Sequence, residues 1–196
     1  MIKAIIFDIG GVISTGKIEL LLEKISEKLK INKDDLLTFF KAHKPELATG
    51  KMKFAQFHKL LKQKFNLKED ILLLWKKTYL DVFSLNPELL DYADSLRERY
   101  KTGVITNTID FHSEINRERG LFKHFDETIT SSDFGAAKPS REVFDEMLKR
   151  FNLKSEECVL IEDRLEHLEI PRQMGFNIIH FKNNNQFFKE IKKIIK

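Results

Sequence analysis

The residue best placed for chemistry is Asp8, which follows an apolar run and precedes a double glycine. The segment 5–13 reads Ile-Ile-Phe-Asp-Ile-Gly-Gly-Val-Ile. A short apolar run of this kind is typical of a buried strand in a parallel sheet, and ligands of open parallel sheets bind beyond the carboxyl ends of the strands. We therefore expect Asp8 to face a ligand crevice, although an Asp-x-Gly-Gly turn after a strand also occurs for structural reasons alone.

Three later segments place polar side chains at the ends of apolar runs or at helix starts. In chain order they are Thr106 with Asn107 after an apolar run, Lys138 before Pro139, and Glu162 with Asp163 after Cys158-Val-Leu-Ile. A proline is tolerated in the first turn of a helix, so the lysine stands just before a helix start.

An Asp, a Thr, a Lys and a Glu-Asp pair in this order resemble the four motifs of the haloacid dehalogenase-like hydrolase superfamily. The resemblance covers nearly the whole chain. It is close in detail to the subgroup of bacterial sugar-1-phosphatases and the phosphatase domain of soluble epoxide hydrolases, where Phe-Asp-Leu-Gly-x-Val also replaces the usual Phe-Asp-x-Asp-Gly-Thr. It implies hydrolysis of a small phosphorylated metabolite, with sugar phosphates among the candidates, through an aspartyl-phosphate.

Phosphoryl transfer gives each motif a role, because its catalysis is mostly positioning and neutralisation of charge. Asp8 would be the nucleophile, Lys138 would neutralise the phosphate and the Asp8 carboxylate, and Thr106 would donate its hydroxyl hydrogen to a phosphate oxygen. The full set expected around the phosphate is Gly10, Gly11, Thr106, Asn107 and Lys138, with the backbone amides of residues 9–11 and 107 as further donors.

Carboxylates and a phosphate can share one site only with cations, and Mg²⁺ prefers oxygen ligands. We expect Mg²⁺ to be held by the side chains of Asp8 and Asp163 and by the carbonyl of Gly10. Glu162 would be either a ligand or a group behind the ligands. Zinc is not expected, because no two of the six histidines have a spacing such as His-x-x-x-His.

Gly10 departs from the superfamily pattern, in which the residue two after the nucleophile is an aspartate that protonates the leaving oxygen. A general acid contributes on the order of 10²- to 10⁴-fold, so its absence should cost rate without removing metal or phosphate binding. The sequence leaves three alternatives open. They are an active phosphatase, a catalytically degenerate phosphate-binding protein with a regulatory or interaction role, and another chemistry such as dehalogenation or phosphonate cleavage.

Composition and charge set bounds on partners. The 196 residues allow one core domain with a modest insert. The net charge of +4 invites a nucleic-acid partner, but lysines alternate with glutamates, and we expect neither nucleic acid nor membrane as a partner. No apolar run approaches about 18 residues, so we expect a cytoplasmic protein, monomeric or homodimeric. The single cysteine, Cys158, is expected to be a buried thiol.

The order of apolar patterns predicts an α/β fold, with a Rossmann-like parallel-sheet core and helices on both faces. Residues 1–15 and 84–196 would form this core. Residues 16–83 show helical periodicity in four segments, separated near Asn32, at 45–50 and at 66–70. An all-helical insert after the first strand is similar to the type 1 cap of the superfamily, which closes over the phosphate site and reads the rest of the substrate.

For several side chains the sequence allows two different roles. His112 could line the site, or it could be a surface or helix-capping residue. Lys44 and the turn Thr49-Gly-Lys51 could read substrate or be solvated, and Trp75 is expected in the core. Pro171 predicts that the helix after the Glu-Asp pair starts late or kinks. The last helix is expected to pack Phe188, Ile191 and Ile195 on the sheet.

Overall fold

The computed structural model describes residues 1–195, and its centre is a parallel sheet. The strands are β1 (Ala4–Phe7), β2 (Lys101–Thr106), β3 (Glu127–Thr130), β4 (Cys158–Glu162) and β5 (Asn177–His180). Their order across the sheet is β3-β2-β1-β4-β5, and every neighbouring pair is parallel. This sheet confirms the predicted α/β class. Because β1 is central, Asp8 leaves the sheet between the ends of β2 and β4.

Within residues 1–195, ten α-helices connect the strands, cover the sheet or form the insert. They are α1 (Ile18–Leu29), α2 (Lys33–Ala48), α3 (Phe54–Lys64), α4 (Leu72–Val82), α5 (Pro87–Leu96), α6 (Asp110–Glu118), α7 (Ser131–Phe134), α8 (Arg141–Phe151), α9 (Glu169–Gln173) and α10 (Asn184–Ile194). Short 3₁₀ turns lie at Leu121–His124, Ser155–Glu157 and Leu165–His167.

Alternate residues of β1 pack against helices on opposite faces of the sheet. Ile5 and Phe7 belong to one buried apolar cluster with residues of α5 and α10. Ala4 and Ile6 belong to another with residues of α8 and α9. All four side chains are fully buried, as expected for a strand that is covered on both faces.

The helical insert, which comprises α1–α4, is joined to the sheet domain by two neighbouring chain segments, residues 13–15 and 84–86. The amide of Thr15 donates to the carbonyl oxygen of Ser84 at 3.1 Å, and the amide of Asn86 donates to that of Ile13 at 2.8 Å. Helices α1–α4 share an apolar cluster that also includes Ile109 and Ile115 from the region of α6. Trp75 is fully buried in it, as predicted.

The loop that the sequence predicts at 45–50 begins later in the structure, after Ala48. Helix α2 continues through Pro45 to Ala48, and the turn follows only then. A proline has no N–H to donate to the carbonyl oxygen four residues earlier, so the helix continues through Pro45 without that one hydrogen bond. The hydroxyl of Thr49 donates to the carbonyl oxygen of Pro45 at 2.9 Å and helps to end the helix.

At the C-terminal end, two predictions are confirmed and one is refined. A 3₁₀ turn follows the Glu-Asp pair, and α9 starts late, with Pro171 in its first turn. Cys158 is a buried free thiol, and burial raises its pKa to about 12. In α10 the fully buried residues are Phe187 and Ile191, whereas Phe188 is only partly buried.

No helix in residues 1–195 is long and apolar enough to cross a membrane. The cytoplasmic location and the choice between monomer and homodimer stay predictions.

Candidate active site

Three carboxylates converge at the carboxyl ends of β1 and β4. One oxygen from each of Asp8, Glu162 and Asp163 lies within 4.8 Å of the others. The amide of Asp8 donates to the carbonyl oxygen of Ile161 at 2.9 Å, which continues the pairing of β1 with β4 past the last strand residue. Asp8 is 5% exposed and Glu162 is fully buried. The sheet therefore brings together the first and fourth sequence motifs.

Lys138 supplies the cation of this cluster. Its Nζ lies 2.9 Å from Oδ1 of Asp8 and donates to Oε2 of Glu162 at 2.6 Å. The side chain is fully buried. Each ionised carboxylate contributes one negative charge and Lys138 one positive charge, so three carboxylates leave an excess of two negative charges.

Asn107 holds the backbone of Lys138 in place. Its Oδ1 accepts from the Lys138 amide at 2.8 Å, and its Nδ2 donates to the Lys138 carbonyl oxygen at 2.8 Å. The peptide between Lys138 and Pro139 is cis. Both ends of the Asn107 side chain are thus held by the Lys138 backbone, and the contact with phosphate predicted for Asn107 would be made by its backbone amide.

Burial and neighbouring charge move the pKa values of the cluster in different directions. Burial raises the pKa of Asp8, against the attraction of Lys138. Burial, with repulsion by Asp8 and Glu162, raises the pKa of Asp163 to about 6. Burial alone would lower the pKa of Lys138, but Asp8 and Glu162 outweigh it and raise this pKa. The ammonium is therefore a fixed charge, and the carboxylates are short of counter-charge.

Glu162 is engaged at both oxygens. Besides Lys138 at Oε2, its Oε1 accepts from the Arg164 amide at 3.2 Å and lies 3.3 Å from Nδ1 of His167. Burial would raise the pKa of Glu162, but His167 and Lys138 outweigh it and lower this pKa. These contacts favour the expected alternative in which Glu162 stands behind the ligands, where it also holds Lys138. Sequence reasoning missed His167, whose burial depends on the 3₁₀ turn after β4.

The double glycine forms a closed turn after Asp8. The amide of Gly11 donates to the carbonyl oxygen of Ser14 at 2.7 Å. This contact contradicts the expectation that the Gly11 amide is a donor for phosphate, because its hydrogen already has a partner. A Cβ added to Gly11, at φ +80°, would lie 2.0 Å from Oδ2 of Asp163, whereas a Cβ added to Gly10 would meet open space.

The cluster fits a magnesium ion. Oδ1 of Asp163 is buried, and no hydrogen-bond partner for it exists within residues 1–195. The negative excess, the oxygen donors and this unpartnered atom match what a hard divalent cation requires. Asp8 and Asp163 are placed to act as side-chain ligands, and the carbonyl of Gly10 belongs to the same turn.

A cavity of about 210 Å³ lies between the turn that follows Asp8 and the helical insert. Gly10, Thr106 and Asn107 line it on the side of the sheet, and α2 contributes Lys44. Thr106 is buried at the end of β2, as its motif requires. The remaining lining residues are Ile9, Ser14, Ile18, Phe40, Ala48, Tyr79, Phe83, Thr108, Ile109, His112, Asn116 and Arg164.

Comparison with known families agrees with this geometry. The family model described as haloacid dehalogenase-like hydrolase matches residues 2–175. The chain belongs to this family. The resemblance predicted from the four motifs is thereby confirmed, and the haloacid dehalogenase-like fold accounts for the parallel sheet with a site at its carboxyl edge.

Relatives in the haloacid dehalogenase-like family include two curated enzymes of different length. A D-ribitol-5-phosphate phosphatase of Bacteroides thetaiotaomicron is 27% identical over all of this chain and 99% of its own length. The bifunctional epoxide hydrolase 2 of Mus musculus is 25% identical over 96% of this chain but only 38% of its own length. The second match agrees with the predicted likeness to the epoxide hydrolase subgroup.

A solved structure shares the fold at low identity. A haloacid dehalogenase family enzyme of Bacteroides thetaiotaomicron, in complex with magnesium and inorganic phosphate, superimposes with a TM-score of 0.81 and 19% identity, over 93% of this chain and 95% of that chain.

Proposed function

We propose that the protein is a Mg²⁺-dependent phosphatase that hydrolyses a small phosphorylated metabolite, with Asp8 as the nucleophile. The observation that carries the proposal is the position of Asp8, which ends the central strand 2.9 Å from the buried Lys138 and within a cluster of three carboxylates. The activity of the curated D-ribitol-5-phosphate phosphatase supports the same reaction class.

In the proposed reaction Asp8 attacks phosphorus, the ester bond breaks, and an aspartyl-phosphate forms. Lys138 neutralises the Asp8 carboxylate and the transferring phosphoryl group, while Glu162 keeps the ammonium in position. The hydroxyl of Thr106 and the backbone amides of Gly10 and Asn107 donate to the phosphate oxygens. Water then hydrolyses the aspartyl-phosphate and regenerates Asp8.

Asp8, Asp163 and the carbonyl of Gly10 would hold the magnesium ion. When bound, the ion supplies charge stabilisation for the phosphoryl oxygens. The helical insert would act as the cap that encloses the leaving group, because α1, α2 and α4 contribute Ile18, Phe40 and Tyr79 to the cavity.

The leaving group has no carboxylic acid beside it at position 10. Leaving groups of low pKa, such as an anomeric hydroxyl or an acyl group, depend least on protonation. We therefore propose that phosphates with such leaving groups depend least on a proton donor, and that a water molecule supplies the proton to alcohol leaving groups.

The test replaces the nucleophile without changing its size. Asp8→Asn should abolish hydrolysis of acetyl phosphate and p-nitrophenyl phosphate in the presence of Mg²⁺, and chelation of the metal should do the same reversibly to the wild type. The matched control is Asp91→Asn on the exposed side of α5, which should keep full activity.

Full turnover by Asp8→Asn would refute the mechanism. If the wild type binds inorganic phosphate by calorimetry but hydrolyses none of the aryl, acyl or anomeric phosphates, the chain is instead the degenerate phosphate-binding protein. The absence of an acid at Gly10 is the observation that keeps this second function open.

A further inference from the structure

His112 lies in the first turn of α6, where the helical insert meets the sheet domain. It is 6% exposed and lines the same cavity as Gly10 and Thr106. The expectation of a surface residue is therefore wrong, and the alternative that His112 lines the cavity is correct. A buried polar ring beside the space for the leaving group needs a hydrogen-bonding role.

One nitrogen of this ring is already used. The indole Nε1 of Trp75, from α4, donates to Nε2 of His112 at 2.8 Å. An indole N–H can only donate, so Nε2 must be the unprotonated nitrogen. Burial lowers the pKa of His112 to about 3, so the ring is neutral near pH 7 and carries its one hydrogen on Nδ1.

The ring cannot readily turn to change these roles. It stacks on Tyr79, with ring centroids 4.2 Å apart and an angle of 30° between the planes. Rotation would also break the bond with Trp75, which is fully buried. Nδ1–H is thus a fixed, uncharged donor.

Two other buried polar side chains at this cavity are uncharged as well. Asn116, one helical turn after His112, is 2% exposed, and its Oδ1 accepts from the Tyr79 hydroxyl at 3.3 Å. The hydroxyl oxygen of Ser14 is buried, and residues 1–195 offer it no hydrogen-bond partner. Both side chains can donate to or accept from hydroxyl groups.

The two cations that line the cavity lie at its exposed rim. Lys44 and Arg164 are both exposed, and Nε of Arg164 donates to Glu166 at 2.8 Å. A carboxylate or second phosphate next to His112 would lie among neutral groups, which is costly. The small volume of about 210 Å³ also lies below the range of about 300–1,000 Å³ that holds drug-sized ligands.

We infer that His112 is a specificity-determining residue whose Nδ1–H donates to a hydroxyl oxygen of the leaving group, and that the substrates are phosphate esters of short, uncharged, polyhydroxylated chains. Asn116 and Ser14 would receive further hydroxyls of the same chain. This inference rests on the proposed phosphatase function and adds the recognition of the group beyond the phosphate.

The test compares matched esters on the Mg²⁺-loaded enzyme. A panel of polyol and aldose phosphates of about three to five carbons is measured beside the alkyl phosphate of equal chain length. At least one hydroxylated ester should exceed its alkyl partner about tenfold in kcat/KM, the usual effect of about one hydrogen bond. Acetyl phosphate, which has no polyhydroxylated chain, reports the chemistry alone.

Two variants separate recognition from packing. His112→Asn keeps a donor near the position of Nδ1 but loses the acceptor for Trp75, whereas His112→Gln can reach Trp75 but offers no donor at Nδ1. The preference for the hydroxylated ester should survive in His112→Asn and fall about tenfold, mainly through KM, in His112→Gln. A purely structural role predicts the opposite order. Thermal melting checks that each variant folds.

A spectroscopic measurement keeps the test valid even if a variant does not fold. Imidazole ¹⁵N shifts of the wild type should show His112 protonated at Nδ1, and Trp75→Phe should allow the other tautomer. Protonation at Nε2 in the wild type would overturn the inference, as would a panel without any hydroxyl preference or a preference that persists in His112→Gln. Failure of the wild type to hydrolyse any of the aryl, acyl or anomeric phosphates would instead refute the proposed phosphatase function.

Discussion

Gly10 and Gly11 are neighbours, but only Gly11 has a steric reason to be glycine. Gly11 has a left-handed backbone, and a Cβ there would strike the carboxylate of Asp163. Gly10 has neither constraint, since a Cβ would meet open space and its φ is not in the left-handed region. The turn therefore requires the second glycine, while the absence of an acid at the first is a chemical difference and not a steric one.

A matched pair of alanine substitutions tests this distinction. Gly11→Ala should lower the free energy of unfolding by at least about 1 kcal/mol, from left-handed strain and contact with Asp163, and should weaken Mg²⁺ binding. Gly10→Ala should stay within about 0.5 kcal/mol of the wild type. Denaturant titration and calorimetry measure the two effects, and equal behaviour of the variants would contradict the proposed geometry of the turn.

The open space at Gly10 also permits a gain of function. Gly10→Asp should restore a general acid and raise the rate for a primary alkyl phosphate on the order of 10²-fold. The rate for p-nitrophenyl phosphate should change much less, because that leaving group needs little protonation. Steady-state kinetics at saturating Mg²⁺ decide the matter. An unchanged alkyl rate in a folded, Mg²⁺-binding variant would mean that protonation of the leaving group does not limit turnover.

At the scale of elements, the start of α6 fixes the helical insert to the sheet domain. Three consecutive residues of α6 contact the insert. Oδ1 of Asp110 accepts from the Phe54 amide at 2.9 Å, Phe111 stacks on Phe54 at 4.7 Å and 8°, and His112 accepts from Trp75. Since the helix follows the Thr106 motif directly, the same turn links the phosphate site to the wall of the cavity.

Asp110 is the member of this contact that can be removed with least effect on packing. Asp110→Ala deprives the first amide of α3 of its acceptor, and we expect a loss of about 1 kcal/mol in unfolding free energy, as for other helix caps. Hydrogen exchange should quicken at the amides of 54–57. The control is Glu114→Ala on the exposed face of α6. Equal exchange rates in both variants would show that this contact does not hold the insert.

The sequence predicts these elements better than the contacts between them. The alternation of strands and helices predicts the parallel sheet, and the approach of Asp8 to Glu162 and Asp163 follows from it, because the carboxyl ends of parallel strands share one edge. The sequence does not predict the order of the strands across the sheet. The hydrogen bond between Trp75 and His112 joins helices that are distant in the chain, so no local period reveals it. The burial of His112 does have a signal, since Ile109 and Ile115 mark the same helical face.

At the scale of the whole molecule, the buried neutral ring of His112 makes the stability of the folded protein, with the insert packed on the sheet domain, depend on pH. The pKa of His112 is about 3 in the folded protein, against about 6.5 in an unfolded chain. Between these values the unfolded chain binds a proton that the folded protein does not. Stability that is fully present above pH 6.5 is therefore lost as pH falls, by up to about 1.4 kcal/mol per pH unit.

The groups that face the ring do not titrate in this range. Burial raises the pKa of Tyr79, which stays neutral, and Arg119, over the Tyr79 ring at 5.7 Å, stays cationic. The carboxylates of Asp8 and Asp163 titrate equally in a variant at position 112, so their contribution cancels in a difference.

Urea unfolding of the metal-free wild type and His112→Asn should consequently show different pH dependence. Between pH 7.5 and 5 the wild type should lose about 2 kcal/mol more than the variant, because only the wild type must give up protonation of this side chain on folding. The variant is less stable at pH 7.5, where the Trp75 indole has lost its acceptor, and the gap narrows as pH falls. Parallel stability curves would mean that His112 is protonated alike in both states, and that the insert is not closed over it in solution.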